Sequence, residues 1–251
     1  MQIRKVDARH GWQWLVQGLV LFRKDPAHWL MLIALLFIGS RVLLAVPYLG
    51  LLVVLITPNF LAGLTHGAQA LEQGKPLRLG YLASGFLKNA GHLITLGGVS
   101  LLGHFLMLVA MTTVAGAALS DVVQTMSTGA ITQETVAAMR VAAPRLLLSV
   151  CVGLAIAVPV MLAVWFAPML VFFDDVKPGP AMLMSLWACL RNIMPMLVYA
   201  IALMGPLLVM MQIGVALTRQ PDMGIWLLAP VLVPSLYASY RDLFVQEPAA
   251  G

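Results

Sequence analysis

From Met194 to Leu217 the chain runs for twenty-four residues without a charged side chain. A hydrocarbon core about 30 Å thick needs about 20 apolar helical residues to cross it. Inside lipid every backbone N–H and C=O must be bonded internally, so a stretch of this kind is a helix. Five further apolar stretches reach spanning length: about Ala27–Val46, a run returning to about Leu71, Ala90–Leu119, Pro144–Phe173 and Met223–Tyr240. Charged residues make up 10% of the chain and hydrophobic ones 61%, whereas a soluble domain carries about 25% charged residues. The expected fold class is all-α: a polytopic transmembrane helix bundle of about six spans, with cytoplasmic amphipathic interfacial helices between them.

The stretch Trp165–Pro195 shows the plan. Asp174 and Asp175 end the fourth span, because a carboxylate is costly in hydrocarbon. Lys177-Pro178-Gly179-Pro180 cannot continue the helix before it, and Pro180 suits the first turn of a new one. Leu183, Leu186, Trp187, Leu190 and Met194 then form one stripe, with Ser185 and Asn192 off it. An apolar face with a basic end predicts a helix lying at the membrane surface. Residues 9–25 repeat the pattern, with Trp12, Leu15, Val16, Leu19 and Phe22 on one face and Gln13, Gln17 and Lys24 opposite. In 72–89, Leu79, Leu82 and Phe86 give a shorter stripe.

The expected organisation is a single integral membrane domain, 1–251. It divides into an interfacial helix (1–26), a span hairpin (27–71), a cytoplasmic loop and helix (72–89), a span pair (90–173), a cytoplasmic turn and helix (174–192), a second hairpin (193–240) and a frayed tail (241–251). The span pair includes an external polar loop (120–143), which carries a short helix near Gln133–Val141. The basic start lacks a cleavage motif after a short apolar core, so it is not expected to be a secretory signal.

Six spans place eleven basic residues on one side and four (Arg41, Arg140, Arg145 and Arg219) on the other. The positive-inside rule then puts both termini in the cytoplasm of a bacterial inner membrane. The net charge of +5 follows from this asymmetry and does not suggest nucleic acid. Cys151 and Cys189 are expected to form no disulfide.

Three basic-polar pairs, Lys24-Asp25, Lys88-Asn89 and Arg191-Asn192, each precede a long apolar run. Together with the surface helices they predict a threefold repeat of helix plus span hairpin, all entering from one side. Two groups of residues also carry a resemblance. One is W-F-A-P at Trp165–Pro168, the Asp-Asp turn and A-x-x-x-S-x-x-A-C-x-R-N at Ala181–Asn192. The other is G-W-x-W at Gly11–Trp14 with F-R-K-D-P at Phe22–Pro26. The chain resembles a family of uncharacterised bacterial six-helix integral inner-membrane proteins of unknown function. More distantly it is similar to the membrane domain found beside some glycerophosphodiester phosphodiesterases. The resemblance implies the fold and the membrane; it carries no activity and no catalytic residues.

Little chemistry is visible. His10, His28, His66, His92 and His104 include no i, i+4 pair of the kind that holds a metal on a helix. Sixteen methionines suit Cu(I) in principle, but without a His–Met box or paired cysteines they read as apolar filler. Asp174 and Asp175 lack a nucleophile–base frame and read as a solvated helix stop. Gly97-Gly98 lacks the Lys-Ser/Thr of a phosphate loop. No catalytic, cofactor-binding or metal-binding residue is expected.

The expected role is non-enzymatic, scaffolding a membrane complex or contacting lipid through the cytoplasmic helices. Arg4, Lys5, Arg9, Arg23, Lys24, Lys88 and Arg191 are the candidate lipid-facing residues. The expected partners are membrane lipid and other membrane proteins or further copies of the chain. The alternative is a small-solute or lipid transporter with kinked spans around Asn59, His104 and Gln212, since polar groups inside a membrane mark pathways.

Overall fold

A computed structural model describes residues 2–116, 133–220 and 222–245. It is helical throughout apart from one two-residue strand pair. The helices are α1 (His10–Lys24), α2 (Pro26–Leu44), α3 (Gly50–Glu72), α4 (Gly80–Leu87), α5 (Ala90–Ala115), α6 (Gln133–Trp165), α7 (Ala167–Phe173), α8 (Pro178–Arg191), α9 (Ile193–Thr218) and α10 (Met223–Leu243). Six helical segments among the described residues are long and apolar enough to cross a membrane: α2, α3, α5, Met139–Phe173, α9 and α10. The all-α polytopic bundle read from the sequence is the fold.

The chain forms two compact units, one of Met1–Gly98 with Ala163–Gly251 and one of Val99–Leu162. In the second, two helical stretches meet through small residues: Gly103 lies against Val160 and Gly153 against Met111. Glycine lets helices approach closely where no hydrophobic effect drives them together.

In the first unit the short helices lean on the inner spans. α1 packs on α10 and α9, α4 on α3, and α8 on α7. Measured back from the basic residue of each pair, they bury the same positions. Six residues before it lie Gly18, Leu82 and Ser185; three before it lie Leu21, Gly85 and Ala188. Two of these contacts require glycine. A Cβ on Gly18 would sit 2.7 Å from the Ser235 amide nitrogen, and one on Gly85 would run into the Asn59 carbonyl.

The first two pairs also tie down the end of their own hairpins, and the third holds the N-terminal segment. Lys24 Nζ donates to the Leu71 carbonyl at 3.1 Å, and Asn89 Nδ2 to the Val171 carbonyl at 2.8 Å. Asn192 Nδ2 donates to the Arg4 carbonyl at 3.0 Å, and its Oδ1 accepts from the Val6 amide at 2.9 Å. The Arg4 amide in turn donates to the Leu243 carbonyl at 2.9 Å. The threefold plan is therefore written in packing register and in hydrogen bonds.

The structure departs from the sequence reading in four places. First, on α1 and α8 the face that meets protein is not the apolar stripe. The buried residues are Gly11, Trp14, Gly18 and Leu21 on α1 and Ala181, Ser185, Ala188 and Cys189 on α8. Trp12 is 59% and Trp187 61% exposed. Lipid solvates apolar side chains, so helix contacts go to small residues and buried hydrogen bonds instead. On α4 likewise Leu82 is buried while Leu79 and Phe86 are exposed.

Second, the fourth span, which is long enough to be tilted or kinked at Pro159 and Pro168, does break beside Pro168, but the short helix expected before it is not separate. α6 runs unbroken from Gln133 through Pro144, so the separate short helix expected near Gln133–Val141 is its first part. The chain then breaks at Phe166, and Pro168 sits in the first turn of α7. Ser185 Oγ accepts from the Phe166 amide at 2.9 Å, satisfying a donor the break sets free.

Third, the tail begins held. Arg241 and Asp242 lie inside α10, and Phe244–Val245 pair antiparallel with Gln2–Ile3. Fourth, α5 ends at Ala115, where Gly116 adopts a left-handed φ of +52° that suits glycine after a helix end. The rest of the loop expected at 120–143, up to residue 132, lies outside the described residues.

Candidate functional site

The polar residues of the first unit gather at the end where α3, α7 and α10 finish. Each of these inner helices ends in a carboxylate: Glu72 on α3, Asp174 capping α7, and Asp242 near the end of α10. A negative charge is disfavoured at a helix C-terminus, so each one requires donors. Asp242, whose side chain is 16% exposed, receives three. Trp14 Nε1 donates to Oδ2 at 2.9 Å, His10 Nδ1 lies 2.7 Å from Oδ2, and Arg4 reaches Oδ1 at 3.3 Å. Glu72 accepts from the Tyr237 hydroxyl at 2.8 Å and pairs with Arg241. Asp174 accepts from the Tyr240 hydroxyl.

Asp175 follows in a left-handed conformation, φ +54°. Its Oδ1 accepts from Asn89 Nδ2 at 2.7 Å, and Lys88 Nζ lies 3.2 Å from Oδ2. The Asn89 hydrogen bond, helped by Lys88, holds its carboxyl below the ordinary range. The acidic turn is thus a clamp between α5 and α7 as well as a helix stop.

Beneath the carboxylates runs a chain of rings. His66 packs edge-on to Tyr81 at 4.9 Å and against Phe172 at 5.2 Å. Phe173 stacks on Tyr240 at 5.6 Å, and Tyr240 meets Phe244 at 5.4 Å. Lys88 sits 5.5 Å above the Phe172 ring, a distance at which a cation is attracted to the ring face.

The rim's carboxylates are engaged, whereas His66 Nδ1 beneath them is buried without a hydrogen-bond partner. Each carboxylate already receives donors, and no nucleophile stands beside a base. Among the described residues no three His, Cys, Asp or Glu side chains lie together as metal ligands. A cavity of about 180 Å³ opens between Gln17, Lys24, Glu72, Tyr237 and Arg241. A larger one, about 680 Å³, lies among apolar residues of α2, α3 and α10, with Leu82 of α4.

The candidate lipid-facing residues divide into two groups. Lys5, Arg23 and Arg191 are exposed. Arg4 bonds Asp242, Arg9 lies 3.7 Å from Asp7, Lys24 bonds Leu71, and Lys88 pairs with Asp175. Of the candidate pathway residues, Asn59 is fully buried, and its Nδ2 donates to the Gly85 carbonyl at 2.9 Å. His104 is exposed, with its ring nitrogen 2.6 Å from the Ser100 carbonyl, and Gln212 is exposed on α9. None of the three lines either cavity.

The acceptor role of Asp242 and Glu72 and the donor role of Tyr237 and Tyr240 were not read from the sequence. The signal available was positional: an acid recurs where each returning span leaves the apolar run.

Over an alignment of 267 positions the chain is 28% identical to a probable inner membrane protein of Burkholderia thailandensis, covering the whole chain and 97% of that protein. No protein-family model matches the chain, and no solved structure does. With six apolar helices, this makes the chain an integral inner-membrane protein. The wider similarity to the membrane domain of glycerophosphodiester phosphodiesterases has no support in these comparisons.

Proposed function

We propose that this inner-membrane protein is a non-enzymatic scaffold that contacts anionic lipid of the cytoplasmic leaflet through α1, α4 and α8. One observation carries the reading: all three short helices turn their packing face inward and an apolar face outward, with a basic residue at the C-terminal end of each. Trp12, Leu87 and Trp187 point away from protein, and Lys24, Lys88 and Arg191 follow the helices. A helix of this form lies at the level of the headgroups. Lys5, Arg23 and Arg191 are exposed charges not committed to the ion pairs and hydrogen bonds above, each contributing about 1 kcal/mol near an anionic surface. Both termini then lie in the cytoplasm.

The full chain in nanodiscs with spin-labelled phosphatidylglycerol or phosphatidylcholine tests this by electron paramagnetic resonance. Preferential immobilisation of the anionic lipid is expected. It should weaken with salt and in a Lys5→Gln, Arg23→Gln, Arg191→Gln variant. Equal immobilisation of both lipids would overturn the reading.

A further inference from the structure

The cleft of about 680 Å³ has the size of a ligand pocket but no chemistry for a polar ligand. Its walls are almost wholly apolar, and its two hydroxyls are committed to their own helices. Ser40 Oγ donates to the Phe37 carbonyl at 2.7 Å and Thr57 Oγ1 to the Val53 carbonyl at 2.6 Å. Water has nothing to bond there, and a space of this kind stays dry.

Its length fits a particular guest. The lining runs from Val53 to Leu64 on α3 and from Ile33 to Leu43 on α2, about 16 Å at the helical rise of 1.5 Å per residue. That is about half the hydrocarbon thickness, the depth of one leaflet.

One end carries charge. Arg41 pairs with Asp222 and lies 5.0 Å over the Phe37 ring. Phe37 packs edge-on against Trp226, which lines the cleft. Arg41 Nε is buried without a partner, and Arg219, exposed at the end of α9, adds a second positive charge against the single Asp222. Among the described residues of the first unit, the balance at this end is one excess positive charge beside an apolar slot.

We propose that the cleft between α2, α3 and α10 holds one acyl chain of an anionic phospholipid from the leaflet at the Arg41 end. The headgroup phosphate lies by Arg41, and the chain descends past Ser40 and Trp226 towards Leu64. Leu82 of α4 closes the inner end of the cleft, and the proposal does not rest on the function proposed above.

The walls supply the variants. Gly39 lines the cleft, and a Cβ on it would meet nothing within 4 Å, so Gly39→Leu fills the space without a clash at Cβ; Ala229→Leu is a second filler. Gly205, equally open but not in the lining, gives the control Gly205→Leu. The full chain is exchanged repeatedly into detergent containing equal phosphatidylglycerol and phosphatidylcholine, then weighed by native mass spectrometry.

The expected result is one phosphatidylglycerol retained per chain in the wild type and in Gly205→Leu. Retention should fall at least about tenfold in Gly39→Leu or Ala229→Leu, as the new side chain displaces several methylenes, at an unchanged unfolding temperature. Arg41→Gln should keep a lipid but lose the preference for phosphatidylglycerol. A wild type that retains no lipid, a filled variant that retains as much as wild type, or a second copy of the chain in place of lipid would each overturn the proposal.

Discussion

The indole of Trp14 donates to the Asp242 carboxylate at 2.9 Å, joining residues 228 positions apart. It joins the first and the last helix of the first unit, α1 and α10, which also pack on each other. His10 and Arg4 reach the same carboxylate. Trp14 is fully buried and meets the Tyr199 ring edge-on at 5.9 Å. Removing the acceptor strands several donors at once. Asp242→Ala is expected to lower stability by about 3 kcal/mol, the order found when a buried acceptor is deleted. Asp7→Ala, which removes an exposed partner of Arg9, should stay within about 0.5 kcal/mol of wild type. Thermal unfolding of the detergent-solubilised protein measures both.

The packing register of the short helices makes a second prediction. Gly18→Ala puts a methyl into the Ser235 backbone, and Gly85→Ala puts one into the Asn59 carbonyl. In each case helices must separate, an overpacking cost of about 1–3 kcal/mol. Gly39→Ala, which enters open space, should be neutral. Equal melting temperatures for the three variants would contradict the close approach.

These two cases divide what the sequence shows from what it hides. Spans are legible because charge is costly in lipid, and their number and order follow from apolar length. The basic-polar pairs were legible too: Asn89 fastens the end of its hairpin at Val171, and Asn192 fastens the N-terminal segment at Arg4 and Val6. Which face of α1 or α8 packs was not. A large apolar side chain marks a core face only when water is the alternative; here Trp12 and Trp187 are exposed while Gly18 and Ser185 make the contacts. Partners such as Tyr240 for Asp174 or Asn89 for Asp175 join residues far apart in the chain, so no local spacing announces them.

Acid should loosen the Asp175 clamp. Its folded carboxyl is held below the ordinary 3.8, first by Asn89 and then by Lys88. A depressed folded value means that stability is present above the unfolded value and is lost as pH falls through the folded one. From about pH 5 to 8 this group adds no pH dependence, and the loss begins below 3.8. Asn89→Ala removes the largest cause. The acid limb of its melting profile should therefore be shallower than that of wild type, with a lower plateau near neutrality. Parallel acid limbs would show that the clamp does not hold the charge.

Cys189 should be chemically silent while the protein is folded. It is fully buried on α8, and burial pushes its thiol up to about 12. At pH 8 it is protonated and out of reach of thiol reagents, which need an accessible thiolate. In a Cys151→Ser background, N-ethylmaleimide should add no mass to the native protein and one label after unfolding in SDS. Rapid labelling of the native protein would mean that α8 leaves its seat on α7.

The last prediction concerns orientation. The polar rim holds Glu72, Asp174, Asp175, Asp242 and the Gln2–Ile3 and Phe244–Val245 strands at one end of the first unit, whereas the Arg41–Asp222 pair and the Tyr48 turn belong to the other. Eleven basic residues against four put the rim in the cytoplasm under the positive-inside rule. Tyr48 is 88% exposed in the turn between α2 and α3, and Lys177 precedes α8 on the rim side. Tyr48→Cys in intact spheroplasts should react with a membrane-impermeant maleimide. Lys177→Cys should react only after the membrane is opened, with Cys151 and Cys189 replaced by serine in both. Labelling of Lys177→Cys from outside would invert the topology, and with it the leaflet facing α1, α4 and α8. The acyl-chain cleft would still open at the Arg41 end, but towards the cytoplasmic leaflet.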